Sequence, residues 1–284
     1  MTHQIERFDT VEALVKAAKG HSSWASRDSR SMGGAICDFA GSACFDDAAK
    51  LALEGWPEGL RKMRLALDAV TASATALGPA PAYLLDVAGA YPIPALAAAG
   101  DAFCMVNPAP ISERVRPILR LVTSVATGSW ATAEQIFNYG AGLVAVVDAL
   151  ESNGFSVELT SARVVTKDKH RATILTRIKA AGDAVDLERL AFCLGHASYN
   201  RRVHFGVLEA LFPDLYRFSY GSPQLPERGQ DVEQDCCVLP PCSSFEADQL
   251  GSPEAAFAAM APKVQALLAD RFSAVPEIIR PQAA

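Results

Sequence analysis

Three signatures that would point to a reaction are missing from this chain. There is no GxxxxGK[ST] loop, which excludes the P-loop way of cradling a nucleoside triphosphate with backbone amides and a lysine. There is no GxGxxG, so the dinucleotide fingerprint is absent as well. No two cysteines stand as C-x-x-C, the spacing of a zinc knuckle. Long apolar runs are also scarce. Pro, Gly or Asp interrupts each one, so no membrane span is expected. The opening MTHQIERFDTVEALVKAAKG has no basic head followed by an apolar stretch, unlike a secretory signal. The expected location is cytoplasmic, in a bacterium or in an infected host cell. Aromatics make up 8 % of residues and do not interleave with basic ones, which argues against a single-strand stacking platform.

What is present suits a folded domain. Half of the 284 residues are hydrophobic, ample for a core. The formal charge of -6 argues against a general nucleic-acid binder. A local basic patch remains open through Arg61, Lys62 and Arg64, Arg114, Arg116 and Arg120, and Lys167, Lys169 and Arg171. Seven cysteines, an odd number, are read as free thiols. Cys236, Cys237 and Cys242 cluster, but vicinal cysteines make poor zinc geometry, and no metal is assigned to them.

Hydrophobic periodicity gives the elements. Helices are expected after Asp9-Thr10, from Asp46 to Trp56 and, past Pro57, to about residue 77. AYLLDV and AFCMV read as strands on either side of a Gly/Pro turn. The clearest signal is strand 115–125, loop 126–132, helix 131–152 closed by Asn153-Gly154, then strands FSVELTSARVV and RATILTRIKA. That order has the length of a crossover on a mainly parallel sheet. Helices VDLERLAFCLG and YNRRVHFGVLEALFP, a short strand at DCCVLPP and a last helix from Pro253 complete the chain. The expected fold is α/β: a mainly parallel sheet flanked by helices, von Willebrand A-like or Rossmann-like, with a helical N-terminal extension. The expected divisions are an extension over 1–80, a core over 81–275 and a tail over 276–284.

Candidate chemistry follows from position. Thr123, Ser124, Thr127 and Ser129 lie in a loop between a strand and a helix, where open sheets bind ligands and a helix N-terminus favours an anion. The bland alternative is that the hydroxyls cap the helix. Asp86 ends a strand and Asp101 follows a second glycine; together they offer an acid pair, or two turn carboxylates. His196 precedes Arg201, Arg202 and His204, a cluster suited to phosphate or nucleic-acid backbone, or else a solvated helix face.

Two resemblances add to this. Residues 115–165, with AGLVAVVDALESNG and FSVEL, resemble the opening of a von Willebrand factor A-like domain, and CCVLPP resembles a later strand of it. That family holds a divalent metal in an Asp-x-Ser-x-Ser loop. Here the matching stretch, Ser124-Val125-Ala126-Thr127-Gly128, lacks the carboxylate, so the resemblance implies a degenerate site. Over most of its length the chain also resembles an uncharacterised family frequent in bacteriophage genomes. The stretches that carry this are FAGSACFDDAAKLALEGWPEG with its Gly-Trp-x-Glu-Gly turn, LLDVAGAYPIPALAAAGDAFCMV, LVTSVATGSWATAEQIFNYGAGLVAVVDALE and YNRRVHFGVLEALFP.

Three functions stay open at this point. The first is a phage or prophage-type interaction or assembly protein, without catalysis or cofactor, that binds a protein partner. The second is a nucleic-acid-associated or phosphate-processing enzyme using Asp86, Asp101, His196 and Arg201. The third is a divalent-metal-dependent binder through residues 123–129.

Overall fold

The computed structural model describes residues 2–19, 39–75, 83–86, 91–92, 98, 105–108, 116–127, 131–212, 222–269 and 280–281. Strand β1 (Thr2–Phe8) leads into helix α1 (Val11–Lys19), whose start is fixed by the Thr10 hydroxyl accepting from the Ala13 N–H. Helix α2 (Phe45–Glu54) ends at Gly55, where φ is +96°, and Pro57 opens helix α3 (Pro57–Ser73). Short strands β2 (Ala74–Thr75), β3 (Tyr83–Asp86), β4 (Tyr91–Pro92) and β5 (Met105–Pro108) follow. Strand β6 (Ile118–Ser124), helix α4 (Ala133–Ser152) and strand β7 (Ser156–Lys167) form the crossover, and strand β8 (His170–Lys179) returns beside β7.

Helix α5 (Leu187–Gly195) is capped by the Asp186 carboxylate accepting from the Arg189 N–H. A π-helical turn (Tyr199–His204) runs straight into helix α6 (Phe205–Leu211). Strands β9 (Ser222–Gln224) and β10 (Cys237–Val238), helix α7 (Pro253–Ala269) and strand β11 (Arg280–Pro281), which pairs with β2, complete the order.

The main sheet has the order β1-β8-β7-β6-β10, with β9 added alongside β7. Strand β1 is parallel to β8, and β6 is parallel to both β7 and β10; β8 and β9 run antiparallel to β7. The fold is therefore α/β with a mostly parallel sheet. Period-2 alternation sorts its two faces. Leu119, Leu121, Val157, Leu159, Val165, Ala172 and Ile174 join one large core with α1 to α7. On the opposite face Val122, Ala162 and Leu175 pack with Val232 and Cys236 from the segment before β10.

The expected helical N-terminal extension is not confirmed. Helices do occupy 11–19, 45–54 and 57–73, but they pack into the same core as the sheet. Residues 2–8 are not helical; they form an outer strand of that sheet. THQIERF hides this role because an outer strand with a wet face needs no apolar run. Strands β3, β5 and β4 make a second, antiparallel sheet. No helix among the described residues is long and apolar enough to cross a membrane.

Two contacts fix the framework. Asp231, wholly buried, accepts from Arg171, Thr173 and the Glu227 N–H, and its Oδ1 lies 2.9 Å from His3 Nε2. Burial alone would raise its pKa, but the hydrogen bonds from Arg171 and Thr173 outweigh it and hold the carboxyl below its ordinary value. This clamp pins the strap 224–236 to the sheet. On the helical side, Gly140 of α4 faces the backbone of α5. A Cβ there would lie 2.6 Å from the Leu194 carbonyl oxygen and 2.9 Å from the Gly195 nitrogen. Gly140→Ala gains about 1 kcal/mol in helix propensity. It forces two backbones apart, however, and no rotamer can relieve that. A net loss of about 2–3 kcal/mol is expected in urea unfolding. Unchanged or raised stability would mean the helices are not in this contact.

Candidate binding cleft at the carboxyl ends of the strands

A row of hydroxyls crosses the sheet beneath the helices. Thr123 of β6 is in register with Ser161 of β7, which is in register with Thr176 of β8, and all three are buried. Two tyrosines seat on this row. Tyr139 of α4 lies 3.0 Å from the Thr123 hydroxyl and donates to the Pro240 carbonyl at 2.8 Å. Tyr199 of the π turn lies 2.9 Å from Ser161 Oγ. Burial pushes both phenols above their ordinary range.

At the upper end of the row, where β6 and β10 end, lies a small crevice. Thr123, Ser124, Thr127, Cys193, His196, Asn200 and Cys242 line it. Its volume of about 20 Å³ holds one water-sized molecule and no substrate. Its ionisable groups are kept neutral. Burial pushes the Cys193 thiol up to about 12 and the Cys242 thiol up to about 11. Burial pulls His196 down to about 4, against the opposing charge of Glu58. The His196 ring is fixed by its neighbours: Nδ1 accepts from the Ser198 N–H at 3.2 Å, so the neutral ring carries its proton on Nε2. It meets Trp56 edge-on at 4.5 Å between centroids and leans on Phe192 at 5.2 Å.

His196 and Ala197 also form one wall of a larger cleft of about 490 Å³, whose other walls are Phe39, Gly41, Trp56, Ala133 and Phe137. The Gly-Trp-x-Glu-Gly turn explains where Trp56 sits. Gly55 breaks α2 with a positive φ, and a Cβ on Gly59 would fall 1.9 Å from the indole. The indole can therefore fold back over the first turn of α3 only because residue 59 is glycine.

The structure brings Thr123, Ser124, Thr127 and His196 to one crevice. Thr123 is engaged by Tyr139, and Ser124 Oγ accepts from the Ala126 N–H at 3.3 Å. The α4 N-terminus is closed by its own capping box, Thr132 with Gln135, so the helix start expected to attract an anion is already satisfied. Arg201 lays its guanidinium over Phe39 and Phe205. Arg202 and His204 are wholly buried, which rules out the solvated helix face. The π turn is the cause: five of its six residues, all but Arg201, are buried. Arg202 donates to the Ser42 carbonyl at 3.1 Å.

Asp86 ends β3 as expected; Asp101 and Ser129 lie outside the described residues. The basic groups do not pool where they are described. Lys62 pairs with Glu58, Arg120 with Asp235 and Glu158, and Arg171 with Asp231. Among the described residues no group of three or more His, Cys, Asp or Glu could hold a metal ion. Sequence reasoning missed Phe137, Gly41, Arg163 and Asn200. Arg163 donates to Asn200 and stacks over Phe205 at 4.6 Å. Only Trp56, through its glycine-flanked turn, left a usable signal.

Residues 2–263 match the model of a family described as a domain of unknown function, DUF7192. The chain belongs to that family. No curated protein and no solved structure matches it. The DUF7192 match takes in every residue of the crevice and of the cleft.

Acid titration tests the burial described here. Both ring nitrogens of His204 lack a hydrogen-bond partner among the described residues, and burial together with Arg163 lowers its pKa to about 3. The unfolded chain takes up that proton near pH 6.5 and the folded chain does not. This contribution to stability is full above pH 6.5 and is lost as pH falls toward 3. From pH 6 to 4 the wild type should lose about 2 kcal/mol more than His204→Phe in denaturant unfolding. Parallel pH profiles would show that His204 is not held neutral.

Proposed function

We propose that this chain is an interaction protein of phage or prophage type, without catalysis of its own, that offers the strap 224–236 to a protein partner. The observation that carries the reading is the Asp231 clamp. A segment with little regular structure is tied to the sheet by a buried carboxylate with four side-chain and backbone partners. Its outward side chains, Leu225 at 44 % exposure among them, stay in solvent. A loop ordered before binding loses little freedom on contact, and more of the contact energy appears as affinity.

The neutral groups of the crevice support the same reading, because no thiolate or free general base is poised there at neutral pH. The strand β6, helix α4, strand β7 order, with β10 beside β6, supports a von Willebrand A-like arrangement of the core. The loop 124–128 supplies no carboxylate for that family's metal. The resemblance to proteins frequent in phage genomes supplies the setting, the cytoplasm of a bacterium or infected cell.

A photo-crosslinking amino acid placed at Leu225, and separately at Leu65 (60 % exposed on α3), tests this in cells that carry the phage. A discrete protein adduct from position 225 and none from 65 is expected. No adduct at 225, or the same adducts from both positions, would refute the strap as the contact surface.

A further inference from the structure

The cleft beside His196 has a composition the interaction reading does not use. Four aromatic rings border it: Phe39, Trp56, Phe137 and His196. Trp56 stands edge-on to both Phe137, at 6.3 Å, and His196. The ring edge of His196 that carries Cε1 and Nε2 faces Gly41. A Cβ at position 41 would sit 3.3 Å from both atoms, and φ there is +70°. Glycine thus leaves the Nε2–H edge uncovered on the cleft side. Nδ1 is already engaged by Ser198, so the tautomer is set and Nε2–H is a fixed donor.

The lining also holds Glu134, an exposed carboxylate in the first turn of α4. Lys62 at the rim pairs with Glu58 at 2.7 Å, and burial keeps the imidazole uncharged. Asn138 donates its amide to the Leu250 carbonyl at 2.9 Å. A cleft of about 490 Å³, mostly apolar, with one preset polar group has the character of a small-molecule site.

We infer that this cleft binds an uncharged planar aromatic or heteroaromatic small molecule whose hydrogen-bond acceptor meets His196 Nε2–H. The ring lies among Trp56, Phe137 and Phe39. A carboxylate is disfavoured, because the cleft offers no unpaired cation to replace its lost hydration. The site is separate from the strap and does not rest on the interaction reading.

Three bicyclic probes test it by saturation-transfer NMR titration on the full chain. Coumarin has a carbonyl acceptor and no donor; indole has a donor and no conventional acceptor; coumarin-3-carboxylate adds a charge. Coumarin should bind with a Kd on the order of 1 mM or below. It should bind about fivefold more tightly than indole, the worth of one hydrogen bond, and about tenfold more tightly than its carboxylate. Ala133→Trp, a change at an exposed rim position, should abolish binding of all three. His196→Phe keeps a ring against Trp56 and should erase the preference for coumarin over indole. His196→Gln, which restores an N–H donor near Nε2, should return it.

Absence of coumarin binding would overturn the inference. So would binding that survives Ala133→Trp, tighter binding of the carboxylate, or a coumarin preference that persists in a folded His196→Phe variant.

Discussion

The close approach of α4 to α5 at Gly140 is the constraint on which the rest of the molecule turns. Helix α4 lies over the sheet, and α5 can meet it backbone to backbone only where residue 140 has no side chain. That contact carries α5 to its end at Gly195, and Gly195 in turn lies against the ring of Phe137. The next residue, His196, is thereby delivered to the carboxyl ends of the strands, between crevice and cleft. The same approach shields Cys193, Tyr139 and Tyr199 from water. Their protonated forms are a consequence of packing: desolvation disfavours every charged form that has no partner to stabilise it.

The polar groups inside this core are tolerated where they are matched in pairs. Thr123 and Ser161 of the hydroxyl row give the tyrosines partners across the sheet, and Arg163 meets Asn200. On the opposite face Arg171 and Asp231 neutralise each other within a closed set of hydrogen bonds. Removing one member of such a buried pair leaves the other unmatched, and its cost exceeds what the pair contributes over an apolar replacement. The two faces therefore use polar chemistry differently. One seats helices on the sheet; the other ties down a strap.

The crossover from β6 through α4 to β7 was legible in the sequence because long periodic segments carry their own signal. The apolar strand within 115–125, the turn at Asn153-Gly154 and the apolar face of 136–150 all agree with the structure. Strand β1 was not legible. Its exposed polar residues satisfy an outer strand but leave no apolar pattern, and its pairing partner lies about 170 residues away. The π turn was not legible either, since a widened helical turn has no sequence signature distinct from an α-helix. Burial of Arg202 and His204 followed from it and reversed the expected exposure of that cluster. The cleft is assembled from residues near 40, 56, 135 and 196, and nothing local in the sequence joins them. The glycines flanking Trp56 marked one wall, and His196 was a candidate on another.

Both crevice and cleft depend on the neutrality of the imidazole between them. Nitrogen-15 chemical shifts of the His196 ring, followed from pH 3 to pH 8, measure this directly. The account predicts Nδ1 bare and Nε2 protonated throughout the neutral range, with protonation of the ring only near pH 4. A ring that titrates at or above the ordinary value for histidine, or one protonated on Nδ1 at pH 7, would contradict it. It would also return His196 to the list of candidate general bases.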